Sequence, residues 1–401
     1  MEPFWAPSSL RPEGEIIGET WAGWLIEPRR DGGQDGPRRL VAAWPSRSET
    51  RCDENERRHV VRTSFAKSIV GLAVLALSAG VACAPAPEAE TPVAGFPALS
   101  GPYLGQTPPG PQPELFAPGV VSTGLAELNS VFTPDGREFY YAVDIGLDWV
   151  IMVTRQTDTG WATPEAASFT RGHSGVDLCI SADGQRLLFC SDRPRPGTDR
   201  RGPMDIWVVE RTADGAWSEP VNLETVNSDS AEFYPTLTTD GTLYFVSRRE
   251  GGLGGSDIYR ARLADGEYAT PENVGPVLNT AGFEGDTFVA PDESYIILNS
   301  RGHDPGPDGG SLFISYRGED GAWSPPQNLG GVMTADRSDF CPMMSPDGKY
   351  FFFSSARPRF GGADGVITWD GLFDAQSRPE NGGTDVYWMD AGFVEKLRPA
   401  R

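Results

Sequence analysis

One four-residue turn occurs five times along this chain at nearly constant spacing. Thr133-Pro-Asp-Gly136, Ser181-Ala-Asp-Gly184, Thr238-Thr-Asp-Gly241, Ala290-Pro-Asp-Glu293 and Ser345-Pro-Asp-Gly348 stand 48, 57, 52 and 55 residues apart, counted Asp to Asp. Asp-Gly between two apolar runs marks a β-hairpin, because Gly accepts the positive φ such a turn needs. Each turn opens into an apolar strand, such as Leu243-Tyr-Phe245 or Tyr350-Phe-Phe-Phe353. Ser and Arg follow in four of the units: Ser191/Arg193, Ser247/Arg248, Ser300/Arg301 and Ser355/Arg357. After a Gly-rich loop comes a third strand, as in Asp205-Ile-Trp207, Asp257-Ile-Tyr259 and Asp385-Val-Tyr387. A fourth strand then reads as Trp217-Ser-Glu-Pro-Val-Asn-Leu223 or Trp323-Ser-Pro-Pro-Gln-Asn-Leu329. Four short antiparallel strands in a unit of roughly 50 residues describe an all-β fold, a β-propeller, whose blades bury their faces against one another.

The last unit lacks its fourth strand after Tyr387-Trp-Met389. Pro113 precedes Asp135 by 22 residues, the same distance by which Pro325 precedes Asp347. The N-terminal strand is therefore expected to complete the last blade, giving a ring of five over residues 113–401. A sixth blade could come only from residues 84–112 together with the insert 358–383, where no repeat is visible.

Upstream, Arg57, Arg58, Arg62 and Lys67 precede an apolar run that ends at Cys83. A basic stretch, a short apolar stretch and small residues before a cut site make a secretory signal over residues 57–82. Gly80-Val81-Ala82-Cys83 resembles a bacterial lipobox, which implies lipidation of Cys83. Ala84 after it, where Asp would stand in retained lipoproteins, implies the outer membrane. Residues 1–56 read as a leader upstream of the true start, and residues 83–112 as a Pro-rich tether.

The net charge is −22, and residues 1–82 carry equal numbers of acids and bases (11 each), so the excess lies in the ring. Such a surface repels nucleic acid, and the membrane is expected to be met only through the anchor. With three His and no Cys-x-x-Cys pair, neither a metal nor another cofactor is expected. Cys179 and Cys190 sit on neighbouring strands without a clearly matched register, so a bridge between them stays an open alternative.

The Pro-Asp-Gly turn, the Tyr-Phe-x-Ser-x-Arg strand and the Gly-x-Asp-Ile-Tyr strand resemble the WD40-like repeat (PD40) of TolB-type periplasmic propellers. The resemblance spans about residues 113–390. It implies an exported propeller, with six blades in the well-known members where five are counted here. It is specific for the fold and implies no activity.

Residues repeated in every blade are architecture, and residues that break the pattern are better functional candidates. An acid precedes each inner strand: Glu127, Asp177, Glu232, Glu284 and Asp339. These acids are expected to ring the channel mouth. Arg193, Arg248, Arg301 and Arg357 should reach the same face and either pair with them or bind ligand. Asp286 and the loop residues His173 and His303 belong to this face too, where an acid–base pair, a metal site and a solvated loop are the alternatives. Trp369, in the blade-five insert, is either a stacking platform or a lid. The leading reading is a monomeric, non-catalytic binding module facing the periplasm or the cell surface. Its partner would be an envelope protein, a peptide or a small polar ligand. The alternatives are a hydrolase or lyase on saccharide or peptide, and a structural scaffold of an envelope complex.

Overall fold

In four of the five turns a hydroxyl locks the loop. Thr133, Ser181, Thr238 and Ser345 donate to the Asp two residues on, at 2.7, 2.5, 2.5 and 2.7 Å. The following Gly takes φ between +69° and +83°. Blade four has Ala290 and Glu293 instead, and Glu293 holds φ +57°. Its carboxylate accepts from Tyr244 Oη at 2.7 Å and from Arg317, so a strained backbone is pinned across a blade boundary.

The computed structural model describes residues 96–304, 311–333, 339–357 and 368–399. The leader, the signal segment and Cys83 lie outside the described residues. Among the described residues the strands form five antiparallel blade sheets and one two-stranded hairpin, Leu263–Ala264 with Glu267–Tyr268. Blade one holds Ala126–Phe132, Glu138–Asp144, Trp149–Thr157 and Glu165–Ala166. Blade two holds Val176–Ile180, Arg186–Ser191, Asp205–Glu210 and Val221–Asn222. Blade three runs Glu232–Leu237, Leu243–Ser247, Asp257–Ala261 and Glu272–Asn273. Blade four runs Glu284–Val289, Tyr295–Ser300, Leu312–Tyr316 and Gln327–Asn328. Blade five has Asp339–Met344, Tyr350–Ser355 and Asp385–Asp390, and its fourth strand is Glu114–Leu115 from the N-terminal side. First strands touch their neighbours in the closed cyclic order one to five and back to one. The architecture is a five-bladed β-propeller closed by its N-terminal strand.

Closure is fixed by aromatic packing. Phe116, fully buried, meets Phe139, Phe352 and Trp388 at centroid distances of 5.1 Å each, and so joins blades one and five. Its amide donates to Val386 O at 2.8 Å. The last part of the expected tether is folded against the ring. Tyr103 packs on Phe132, Tyr350 and Trp388, and Trp161 Nε1 donates to Gly101 O at 2.8 Å. Among the described residues no helix is long and apolar enough to cross a membrane. Cys179 pairs in register with Leu188, and Val176 with Cys190, so the two thiols do not face one another; both are buried and free.

Phe116→Ala should lower stability by about 3–5 kcal/mol. Val221→Ser, at an exposed place on an outer strand, should stay within about 0.5 kcal/mol. Urea midpoints compare the two, and equal midpoints would show that the N-terminal strand does not carry closure.

Candidate functional site

The inner strands carry an extra residue each. Their pairing with the second strand slips after Leu128, Val176, Phe233, Gly285 and Phe340. Such β-bulges turn a side chain out of the normal alternation. Asn129, Asp177, Tyr234 and Cys341 at the bulges have φ of +44°, +55°, +53° and +54°, and Asp286 stands at the same place in blade four. These five residues form a polar ring about the axis. Asn129 Oδ1 accepts from Leu178 N at 2.7 Å, Asp177 Oδ2 from Tyr234 N at 3.3 Å, and Asp286 Oδ2 from Cys341 N at 3.0 Å. Each bond crosses to the next blade. Asn129 Nδ2 also donates across the ring to Tyr234 Oη at 3.1 Å.

The acids expected at the mouth therefore divide. Glu127, Glu232, Glu284 and Asp339 are buried and occupied. Glu232 accepts from Ser228 N, Ser228 Oγ and Ser247 Oγ at 3.0, 2.6 and 2.7 Å, and pairs with Arg249. Glu284 accepts from Thr280 N, Thr280 Oγ1 and Ser300 Oγ at 2.8, 2.7 and 3.0 Å. Glu127 takes the amide and hydroxyl of Thr123, and Asp339 pairs with Arg357 at 3.3 Å. Glu127, Glu232 and Glu284 anchor the loops that enter their inner strands, and Asp339 holds Arg357 beyond the second strand of its blade. Asp177 is not their equivalent: Gly175 holds that place in blade two, and Asp177 belongs to the bulge ring.

The arginines divide in the same way. Arg193 and Arg357 lie in their own blades between two aromatic rings, with Phe189 and Trp207 at 4.9 and 5.2 Å, and Phe353 and Tyr387 at 5.2 and 4.4 Å. The matching residue of blade three is Arg249, between Phe245 and Tyr259, rather than Arg248. Arg193 Nη2 donates to Phe169 O and Arg249 Nη2 to Val226 O, at 2.9 and 2.6 Å. In blade four His303 fills this role: its Nε2 meets Leu278 O at 2.9 Å and its ring packs on Phe313. His303 is thus a structural plug. His173 is half-exposed in its loop and does not line the axial cavity described next. Neither histidine reaches the bulge carboxylates.

Arg248 and Arg301 each follow the strand-end Ser directly, so alternation along the strand points them away from the blade interior. They line a cavity of about 310 Å³ on the axis, together with Asp177, Asp286 and Cys341 of the bulge ring. Its wall is apolar, with Leu128, Trp149, Phe233, Val246, Phe283 and Phe340. Gly285 makes room for the Phe283 ring, which a Cβ there would meet at 2.6 Å. Arg301 lies over Phe283 at 5.7 Å and Arg248 over Phe233 at 5.4 Å. Among the described residues the Arg301 guanidinium has no hydrogen bond or ion pair, and Asp286 Oδ1 has no donor. Burial raises the carboxyl of Asp177 well above the usual range, and the nearby Asp286 charge adds to this. Burial also raises Asp286, while the Cys341 amide and Arg301 oppose it. Among the described residues no three His, Cys, Asp or Glu side chains are placed to share a metal ion. Trp369 lies on the helix Trp369–Gln376, is 72% exposed and packs on Phe373 at 4.9 Å, outside the cavity lining.

The seam between blades five and one holds a second, different irregularity. In blades two and three the third-strand acid takes an Asn from the fourth strand: Asp205 from Asn222 at 2.9 Å and Asp257 from Asn273 at 2.7 Å. In blade five Leu115 occupies the Asn register, so Asp385 loses that donor. Its Oδ1 is buried without a hydrogen-bond partner among the described residues. Burial pushes Asp385 up to about 7; the Glu380 amide opposes this, and the Glu127 and Glu380 charges add to it. The folded chain keeps this proton to near pH 7, while the unfolded chain releases it near pH 4. Its contribution is full below pH ~4 and is lost as the pH rises through 7. Urea stability should therefore fall between pH 5 and 8 by on the order of 2–4 kcal/mol more than in Asp385→Asn or Leu115→Asn. Parallel pH profiles for all three proteins would overturn the assignment.

Comparison with known proteins adds similarity of a distant kind. No family model matches the chain, and no curated protein does. Similar solved structures include TolB from Acinetobacter baumannii, at 16% identity and TM-score 0.38, covering 67% of this chain and 57% of that one. Putative TolB from Agrobacterium tumefaciens has 18% identity and TM-score 0.38, covering 66% of this chain and 90% of that one. An oligogalacturonate lyase from Vibrio parahaemolyticus has 14% identity and TM-score 0.35, covering 59% of this chain and 60% of that one. This chain thus spans little more than half the length of the Acinetobacter TolB and of the lyase. The fold and the cavity described above stand on this chain's own residues.

Proposed function

We propose that this chain is a non-catalytic binding module that takes a ligand into its axial cavity. The observation that carries the reading is the contrast within the channel mouth. Four acids and three arginines there are consumed by their own blades, whereas Arg301 and Asp286 Oδ1 face an apolar cavity and, among the described residues, make no hydrogen bond or ion pair. A buried apolar wall with a few convergent polar groups suits recognition of a small ligand or a peptide end. The signal segment and the box at Cys83 support export and lipid anchoring at the cell envelope, with the ring on the periplasmic side or at the cell surface.

A hydrolase or lyase is the second reading, favoured by the Asp177–Asp286 pair, whose raised carboxyls suit acid–base work. With both histidines elsewhere, the pair would have to supply acid and base alone. Binding accounts for more of the cavity, because it uses Arg301 and the aromatic wall as well.

Thermal-shift screening of the full chain against small carboxylates, amines, sugars and peptides tests the reading. Stabilising compounds should lose their effect in Arg301→Ala and Asp286→Asn and keep it in Trp369→Ala. Stabilisation indifferent to Arg301 and Asp286 would remove the cavity from consideration. Cys83→Ser should shift the protein from the membrane fraction to the soluble fraction and abolish palmitate labelling. Unchanged partitioning and labelling would exclude the anchor.

A further inference from the structure

The cavity has guanidinium groups at one end and two carboxyl groups at the other, whose ionised form burial disfavours and a bound cation would restore. Backbone bonds show how they are spaced. Arg248 N donates to Ala231 O and Arg301 N to Phe283 O, at 3.1 and 2.9 Å. The arginines are therefore level with residues 231 and 283, three residues before the bulge residues Tyr234 and Asp286 on the same inner strands. At about 3.3 Å per residue this places their backbones roughly 10 Å from the bulge ring along the axis. Arg301 is exposed and Arg248 half-buried, whereas Asp177 is buried and Asp286 half-buried. The cations thus stand at the mouth and the carboxylates at the floor. Phe283 stands level with Arg301, and Leu128, Phe233 and Phe340 lie between the two ends; none of them offers charge.

A purely anionic ligand would satisfy the mouth and leave its body against the floor carboxylates. A purely cationic ligand would reach the floor only past two guanidinium groups. A sugar would leave most of its hydroxyls against aromatic and aliphatic carbon, at the cost of their water hydrogen bonds. One ligand class meets all three surfaces. We propose that the cavity takes a small zwitterion whose ammonium and carboxylate ends are separated by an apolar body. The ammonium sits on the Asp177–Asp286 floor, and the carboxylate meets Arg301, with Arg248 on the same rim. The proposal rests on the reading of this cavity as the binding site. The two charges must stand roughly 5–10 Å apart, allowing the arginine side chains to lean inward from a 10 Å backbone separation. A free α-amino acid is too short for this. A peptide of two or three apolar residues with both ends free, or an ω-amino acid, has the right span.

Isothermal titration calorimetry on the full chain tests this with tri-leucine, its N-acetyl derivative, its C-terminal amide and ω-aminohexanoate. Tri-leucine or ω-aminohexanoate should bind, and their ratio distinguishes a peptide source from an amino-acid source. Blocking either end of tri-leucine should weaken binding at least tenfold. Arg301→Gln should weaken tri-leucine at least tenfold and leave the amide unchanged. Asp286→Asn should weaken tri-leucine in the same measure and leave the N-acetyl derivative unchanged; the Asn oxygen can still accept the Cys341 amide, and circular dichroism checks the fold of both variants. Equal binding of blocked and free peptides overturns the zwitterion. So does the absence of binding by every zwitterion, and in that case an Arg301-dependent thermal-shift hit of another class keeps the cavity reading alive. If no compound in either experiment depends on Arg301 or Asp286, both readings fall.

Discussion

The bulge in each inner strand is the constraint on which the rest of the structure depends. A regular strand would send alternate side chains into the two neighbouring blade interfaces and none toward the axis. The extra residue, held with positive φ in four blades, turns one side chain per blade inward. Where that side chain is Asn or Asp it accepts the amide of the next blade's bulge region, as Asn129, Asp177 and Asp286 do. The strain of a left-handed backbone is thus offset by a bond that joins neighbouring blades. The same geometry sets the floor of the cavity, so ring assembly and site chemistry draw on one feature.

Variation between blades then decides what the ring can do. The residue after the strand-end Ser is Asp192 in blade two, Arg248 in blade three, Arg301 in blade four and Ala356 in blade five. That position is outside the blade core, free to vary without loss of packing. The residue one place further on is Arg193, Arg249 or Arg357, each between two aromatic rings and bonded to Ser, so it is fixed by the fold. Two adjacent positions of the same residue type therefore carry opposite meanings. Leu115 shows the converse case. The strand that closes the ring comes from another part of the chain and lacks the Asn of its counterparts, and Asp385 bears the consequence.

The turns, the blade count and the strand that closes the ring were legible because each depends on spacing and on Gly or Asp in a fixed place. The site was only half legible. Ser247-Arg248-Arg249 contains both kinds of arginine, and only strand alternation tells them apart. A match by residue type selects Arg248 as the equivalent of Arg193; counting from Ser selects Arg249. Asp177 had a similar signal. It precedes its turn Asp by six residues, whereas Glu127, Glu232, Glu284 and Asp339 precede theirs by eight. The bulges themselves leave no mark in the sequence, because Asn, Asp, Tyr and Cys share no type that announces positive φ. The inward ring therefore required coordinates.

Net charge bears on how a ligand would arrive. At −22 the chain repels an anion at long range, and at physiological salt that field decays over about 8 Å. Inside the cavity mouth, Arg301 and Arg248 reverse the sign locally. A carboxylate ligand would thus meet an unfavourable field before a favourable one, and an amine the opposite order. A molecule with no net charge meets neither obstacle on approach and finds both of its ends matched on entry. In an apolar cavity each matched charge is worth more than in water, and each unmatched one costs more. The apolar wall between the two ends thus sharpens selection at both of them.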